Sequence, residues 1–101
     1  MTDAPVFLII TSIPNPEKME AVQAYLSQVM PVLMAAGGKP VGRYRVTNQI
    51  VGGNGTKMVA LLEYPDEKSI TDMIAGDAFT ALAGLREDAF LELNLMVSSQ
   101  M

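Results

Sequence analysis

A 101-residue chain with no histidine and no cysteine must draw any chemistry from other side chains. Histidine is the commonest general base and metal ligand, and cysteine supplies thiolate nucleophiles and sulfur-bound zinc. What remains is a phenol, an amide and a guanidinium. Tyr25, Tyr44, Asn48 and Arg86 are the candidates: a tyrosine as acid or base, with the asparagine or arginine polarising an oxyanion. Met30 and Met34, in the second half of the same helical stretch, could wall an irregular pocket. The same residues also have an ordinary structural use. The tyrosines can be amphipathic core residues, Asn48 can bond backbone, and Arg86 can be a helix-end charge. No acidic cluster has the spacing of an all-oxygen metal site, so neither metal nor cofactor is expected.

The charge balance narrows partners. The net charge is −4, and seven Lys and Arg are scattered without a basic run, which argues against nucleic acid. The apolar run Val6–Ile10 is too short to cross a bilayer, and Asp3 stands where a leader peptide would carry a cation, so a cytoplasmic protein is expected. Half of the residues are hydrophobic, more than one small core requires, and part of that surface is expected to be an interface.

The elements that would position these residues follow from periodicity. Thr56–Tyr64 (TKMVALLEY) is apolar on both faces of a period-two pattern, as is the first strand, Pro5–Ser12. Between them, Asn15-Pro16-Glu17 predicts a helix start, and Met19, Val22, Leu26, Val29 and Leu33 form one apolar stripe that Gly37-Gly38 ends. Pro31 falls inside this stripe and should disturb the helix without ending it. Lys39–Val51 reads as a second strand, and Gly52–Gly55 as a turn joining it to the third in a hairpin. Asp66 caps a second helix, Ala78–Arg86 makes another helical piece, and Ala89–Val97 is the last strand.

The order βαββαβ, with right-handed crossovers, gives one α+β domain over residues 1–101: a ferredoxin-like sandwich with sheet order 4-1-3-2. Strands one and three, apolar on both faces, fall at the centre of that order. Hairpin parity predicts Tyr44 beside Leu62, Arg43 opposite Glu63 and Arg45 opposite Leu61. The face carrying Arg43, Arg45, Glu63 and Glu92 then lacks a cover and is expected to pair with a second copy, Arg43 and Glu63 forming an ion pair. If Arg43 and Arg45 faced a cavity instead, they would anchor an anion.

Several short motifs resemble those of the DUF1330 family, within the dimeric α+β barrel superfamily. They are Pro16-Glu17, Tyr25 followed by Gly37-Gly38-Lys39, Arg43, Glu63-Tyr64-Pro65-Asp66, and Asp77-Ala78-Phe79 leading to Arg86. The family's Trp-Tyr pair is Met73-Ile74 here. The resemblance implies a homodimer with a small-molecule pocket between sheet and helices. Such a pocket could bind a ligand without turnover. Alternatively it could serve a cofactor-independent monooxygenase or isomerase acting on a small aromatic or acyl substrate.

Overall fold

The computed structural model describes residues 4–101; Asp3 lies outside them. The elements are β1 (Val6–Pro14), α1 (Met19–Ala35), β2 (Lys39–Arg45), β3 (Met58–Tyr64), α2 (Glu67–Ala75), α3 (Asp77–Thr80), α4 (Ala83–Ala89) and β4 (Phe90–Ser99). They form a four-stranded antiparallel sheet ordered β2-β3-β1-β4, which is the ferredoxin-like α+β arrangement expected. The doubly apolar strands β1 and β3 are central.

The helices cover one face. Val22, Tyr25, Val29 and Leu33 of α1 pack with Leu8, Leu62, Tyr64, Ile70, Phe79 and Phe90 in one buried cluster. The other face carries Phe7, Ile9, Val59 and Leu61, which remain partly exposed and outside that cluster. Among the described residues nothing covers it.

Helix ends follow local chemistry. Gly37 adopts φ 103°, and the N–H groups of Gly37 and Gly38 donate to the carbonyls of Met34 and Leu33, satisfying the last turn of α1. Gly38 is also a close-approach site: a β-carbon there would lie 2.7 Å from both Leu33 O and the Tyr64 ring. The Asp66 carboxylate accepts from Ser69 N–H at 2.8 Å and caps α2 as expected. That bond and a second from the Ser69 hydroxyl, also at 2.8 Å, hold its pKa below the usual value. At the other end of α1 the expectation fails. Asn15 Oδ1 accepts from Glu17 N–H and Lys18 N–H donates to Asn15 O, so 15–18 is a turn and the helix begins at Met19. The helix runs through Pro31. The expected piece Ala78–Arg86 is divided into α3 and α4.

The second strand departs most. It ends at Arg45, and Val46–Lys57 forms a long loop instead of a strand and tight turn. Val46 N–H donates to Lys57 O and Lys57 N–H to Ser12 O, closing the loop's base. Beyond it, Gly52, Gly53 and Gly55 offer little to a pairing strand, while Gly52 and Gly55 take positive φ. Lys39 pairs with Glu63 and Pro40 with Leu62, but Gly42 pairs with Leu61, leaving Val41 as one extra residue. This bulge reverses the side-chain parity of the rest of β2. Arg43 lies opposite Ala60, Arg45 opposite Met58, and Tyr44 opposite Val59. The expected pairs Arg43–Glu63, Arg45–Leu61 and Tyr44–Leu62 are therefore corrected.

Candidate functional site

A groove of about 780 Å³ runs between α1 and the helix-covered face of the sheet. That volume is within the range of small-molecule sites. Its roof is Tyr25, Leu26, Val29, Met30 and Leu33 from α1. Its floor crosses the sheet through Met58 and Ala60 of β3, Ile10 and Ser12 of β1, and Leu93 and Leu95 of β4. Phe79 and Phe90 close the inner end, and Arg43 and Arg45 line it at edge strand β2.

The α1 periodicity that builds the core also aims Tyr25 inward, where it is buried against Phe90 with ring centres 5.4 Å apart and nearly perpendicular. Arg86, on α4, reaches it. Its Nε–H donates to the Tyr25 hydroxyl at 3.0 Å, and Nη2 donates to the Phe79 carbonyl at 3.2 Å. The guanidinium lies 4.1 Å from the Phe79 ring centre, within cation–π distance. Because the Tyr25 oxygen accepts from a fixed cation, its own hydrogen is left for another acceptor. In chemical terms this is a directed phenol donor in an apolar chamber.

Of the residues singled out by sequence, Tyr25 and Arg86 are therefore brought together, and Met30 lines the groove. Met34 does not; its side chain points to solvent. Asn48 lies in the exposed loop, away from the groove. Tyr44 also lines the groove, at its β2 rim, although its register partner Val59 belongs to the uncovered face; its ring folds over Gly42, where a β-carbon would collide with it. Glu63 and Glu92 are on the uncovered face too, Glu63 opposite Lys39 and Glu92 opposite Ile13. The bulge has separated Arg43 and Arg45 from both acids.

Sequence reasoning missed Ser12, the buried polar side chain of the floor, and the aromatic wall of Phe79 and Phe90. Ser12 was legible as the polar member of an otherwise apolar strand face. Among the described residues no group of acidic side chains is arranged to hold a metal, and no helix is long and apolar enough to cross a membrane.

A family model described as "Domain of unknown function (DUF1330)" matches residues 6–100. No match was found among curated proteins. Several solved structures share the fold. A protein of unknown function from Rhodopseudomonas palustris superposes with TM-score 0.81 at 20% identity, covering 97% of this chain and 83% of that one. A candidate antibiotic biosynthesis monooxygenase from Bordetella bronchiseptica gives TM-score 0.72 at 15% identity, covering 98% and 99%. An EthD-family protein from Bacillus halodurans gives TM-score 0.67 at 21% identity, covering 96% and 99%. At these identities the likeness establishes the fold.

Proposed function

The chain belongs to the DUF1330 family, and from that premise we propose that it is a homodimeric, single-domain protein that binds a small apolar molecule in the groove between α1 and the sheet. The observation that carries this reading is the groove itself: an apolar chamber with one directed hydroxyl donor, Tyr25, held by Arg86. Pockets of this kind bind through apolar area and take orientation from few polar groups. Tyr25 would then donate to a neutral oxygen of any ligand that carries one at that depth. The dimer is inferred from the uncovered sheet face, whose centre carries Phe7, Ile9, Val59 and Leu61.

Native mass spectrometry of the purified protein tests both parts. A dimer mass carrying an adduct that denaturation releases is expected. Replacing Met30 by Trp fills the groove and should remove the adduct while keeping the dimer. A monomer at micromolar concentration would refute the dimer, and an adduct unchanged in Met30→Trp would refute the groove.

A second reading is favoured by the Arg86–Tyr25 bond. A phenol beside a guanidinium can act as an acid toward a developing oxyanion, which suits cofactor-independent oxidation or isomerisation of an aromatic or acyl substrate. The fold is shared with a candidate monooxygenase, which is compatible with this chemistry. Turnover lost in Tyr25→Phe, with the adduct still bound, would support it over simple capture.

A further inference from the structure

We propose that the ligand of this groove is a monoanionic amphiphile, a single carboxylate on an extended acyl tail, with the carboxylate held at the mouth by Arg43 and Arg45. The inference rests on the groove reading above and adds the ligand's chemistry. The Val41 bulge carries both arginines from the uncovered face to the groove side, opposite Ala60 and Met58. Two residues apart on one strand face, their side chains start about 6.6 Å from each other and can converge on one anion.

Neither arginine has an ion-pair partner among the described residues, whose salt bridges, Lys18–Asp88 and Lys68–Asp72, lie elsewhere. No Asp or Glu lines the groove. In a chain of net charge −4, two cations without acids at one apolar mouth select for a negative headgroup. Farther in, Arg86 is committed to Tyr25 and the Phe79 carbonyl, and the remaining polar side chains there are neutral, Ser12 and Tyr25. A second charge at the tail's far end would be buried without a counterion, which disfavours diacids. The floor crosses three strand spacings, about 14 Å from β2 to β4, a span suited to an extended dodecanoate.

The test is calorimetric titration of the full chain with dodecanoate, dodecanol and dodecylammonium, each below its micelle-forming concentration. Dodecanoate should bind most tightly, and its advantage should shrink as salt is added. Both arginines are solvent-exposed, so the double variant Arg43→Met, Arg45→Met should weaken dodecanoate roughly two- to thirtyfold, as expected for two exposed ion pairs, and leave dodecanol within about twofold. Dodecanol binding as tightly as dodecanoate, or dodecanoate unaffected by the double variant, would overturn the anion assignment while sparing the groove. Failure of all three ligands to bind, or binding that persists in Met30→Trp, would remove the groove reading and this inference together.

Discussion

Replacing Arg86 by Leu tests whether the Tyr25 donor is held as described. The substitution removes a hydrogen bond to the Tyr25 hydroxyl at 3.0 Å, another to the Phe79 carbonyl at 3.2 Å, and the stacking of the guanidinium on Phe79 at 4.1 Å. Hydrogen bonds from charged groups are worth about 1.5–3 kcal/mol each when well buried. Arg86 is half-buried, and Leu restores apolar contact with the ring, so the net loss should be about 2–3 kcal/mol. For a domain of this size that lowers Tm by roughly 10–20 °C. The informative assay is a double-mutant cycle with Tyr25→Phe, read by urea unfolding. Removing both partners should cost about 1 kcal/mol less than the two single losses added together. Arg86→Lys should not restore the loss, because an ammonium cannot stack flat on Phe79 while donating in two fixed in-plane directions. Strict additivity would refute the Tyr25–Arg86 unit. So would a Tyr25→Phe variant of unchanged stability whose groove ligand binds as before.

Gly38→Ala should cost about 2–4 kcal/mol by denaturant unfolding, since the added carbon meets a helix carbonyl and a ring tethered to it by the Tyr64–Leu33 hydrogen bond of 2.8 Å. Burial raises the Tyr64 pKa above its ordinary value. The neutral phenol is therefore favoured by folding, and this stability is present below about pH 10 and lost as pH rises through the raised pKa. Tyr64→Phe should be less stable at neutral pH and lose less than wild type on alkaline titration followed by circular dichroism. The Asp66 pKa is lowered by its bonds to Ser69, so the opposite sign applies: Asp66→Ala should lower Tm at neutral pH, with the gap to wild type closing as pH falls through that lowered pKa. In this cysteine-free chain, Tyr44→Cys with Val59→Cys should oxidise to a disulfide and Tyr44→Cys with Leu62→Cys should not; the reverse outcome would refute the bulged register.

Much of the fold was legible because it depends on averages over many residues. Two strands apolar on both faces have to be central, whichever individual side chain is chosen, and β1 and β3 are. The end of α1 was legible in Gly37, where positive φ excludes most alternatives. Its beginning was not, because Asn15-Pro16 suits a turn as well as a cap. Alternation along β2 is blind to one unpaired residue, and the only hint was Gly42 inside a strand. Of the site, Tyr25 and Arg86 were legible by type, but their meeting across 61 positions depends on how α4 docks on α1, which no local pattern encodes.

That single bulge also changes how the two faces of the sheet divide their work. With Arg43 beside Ala60, Glu63 has Lys39 on β2 and Phe7 on β1 as its cross-strand neighbours, and Glu92 accepts a hydrogen bond from Asn94 at 3.5 Å. The uncovered face then holds its acids toward the edges and Phe7, Ile9, Val59 and Leu61 at its centre, without an arginine to desolvate. Self-association through it would draw on apolar area rather than on a buried Arg43–Glu63 pair, and so would not carry the large desolvation cost of such a pair. The arginines, moved to the other side, are free to act on whatever enters the groove. If the proposed dimer and groove ligand hold, one extra residue in an edge strand assigns assembly to one face and ligand charge selection to the other, with β3 serving both through alternate side chains.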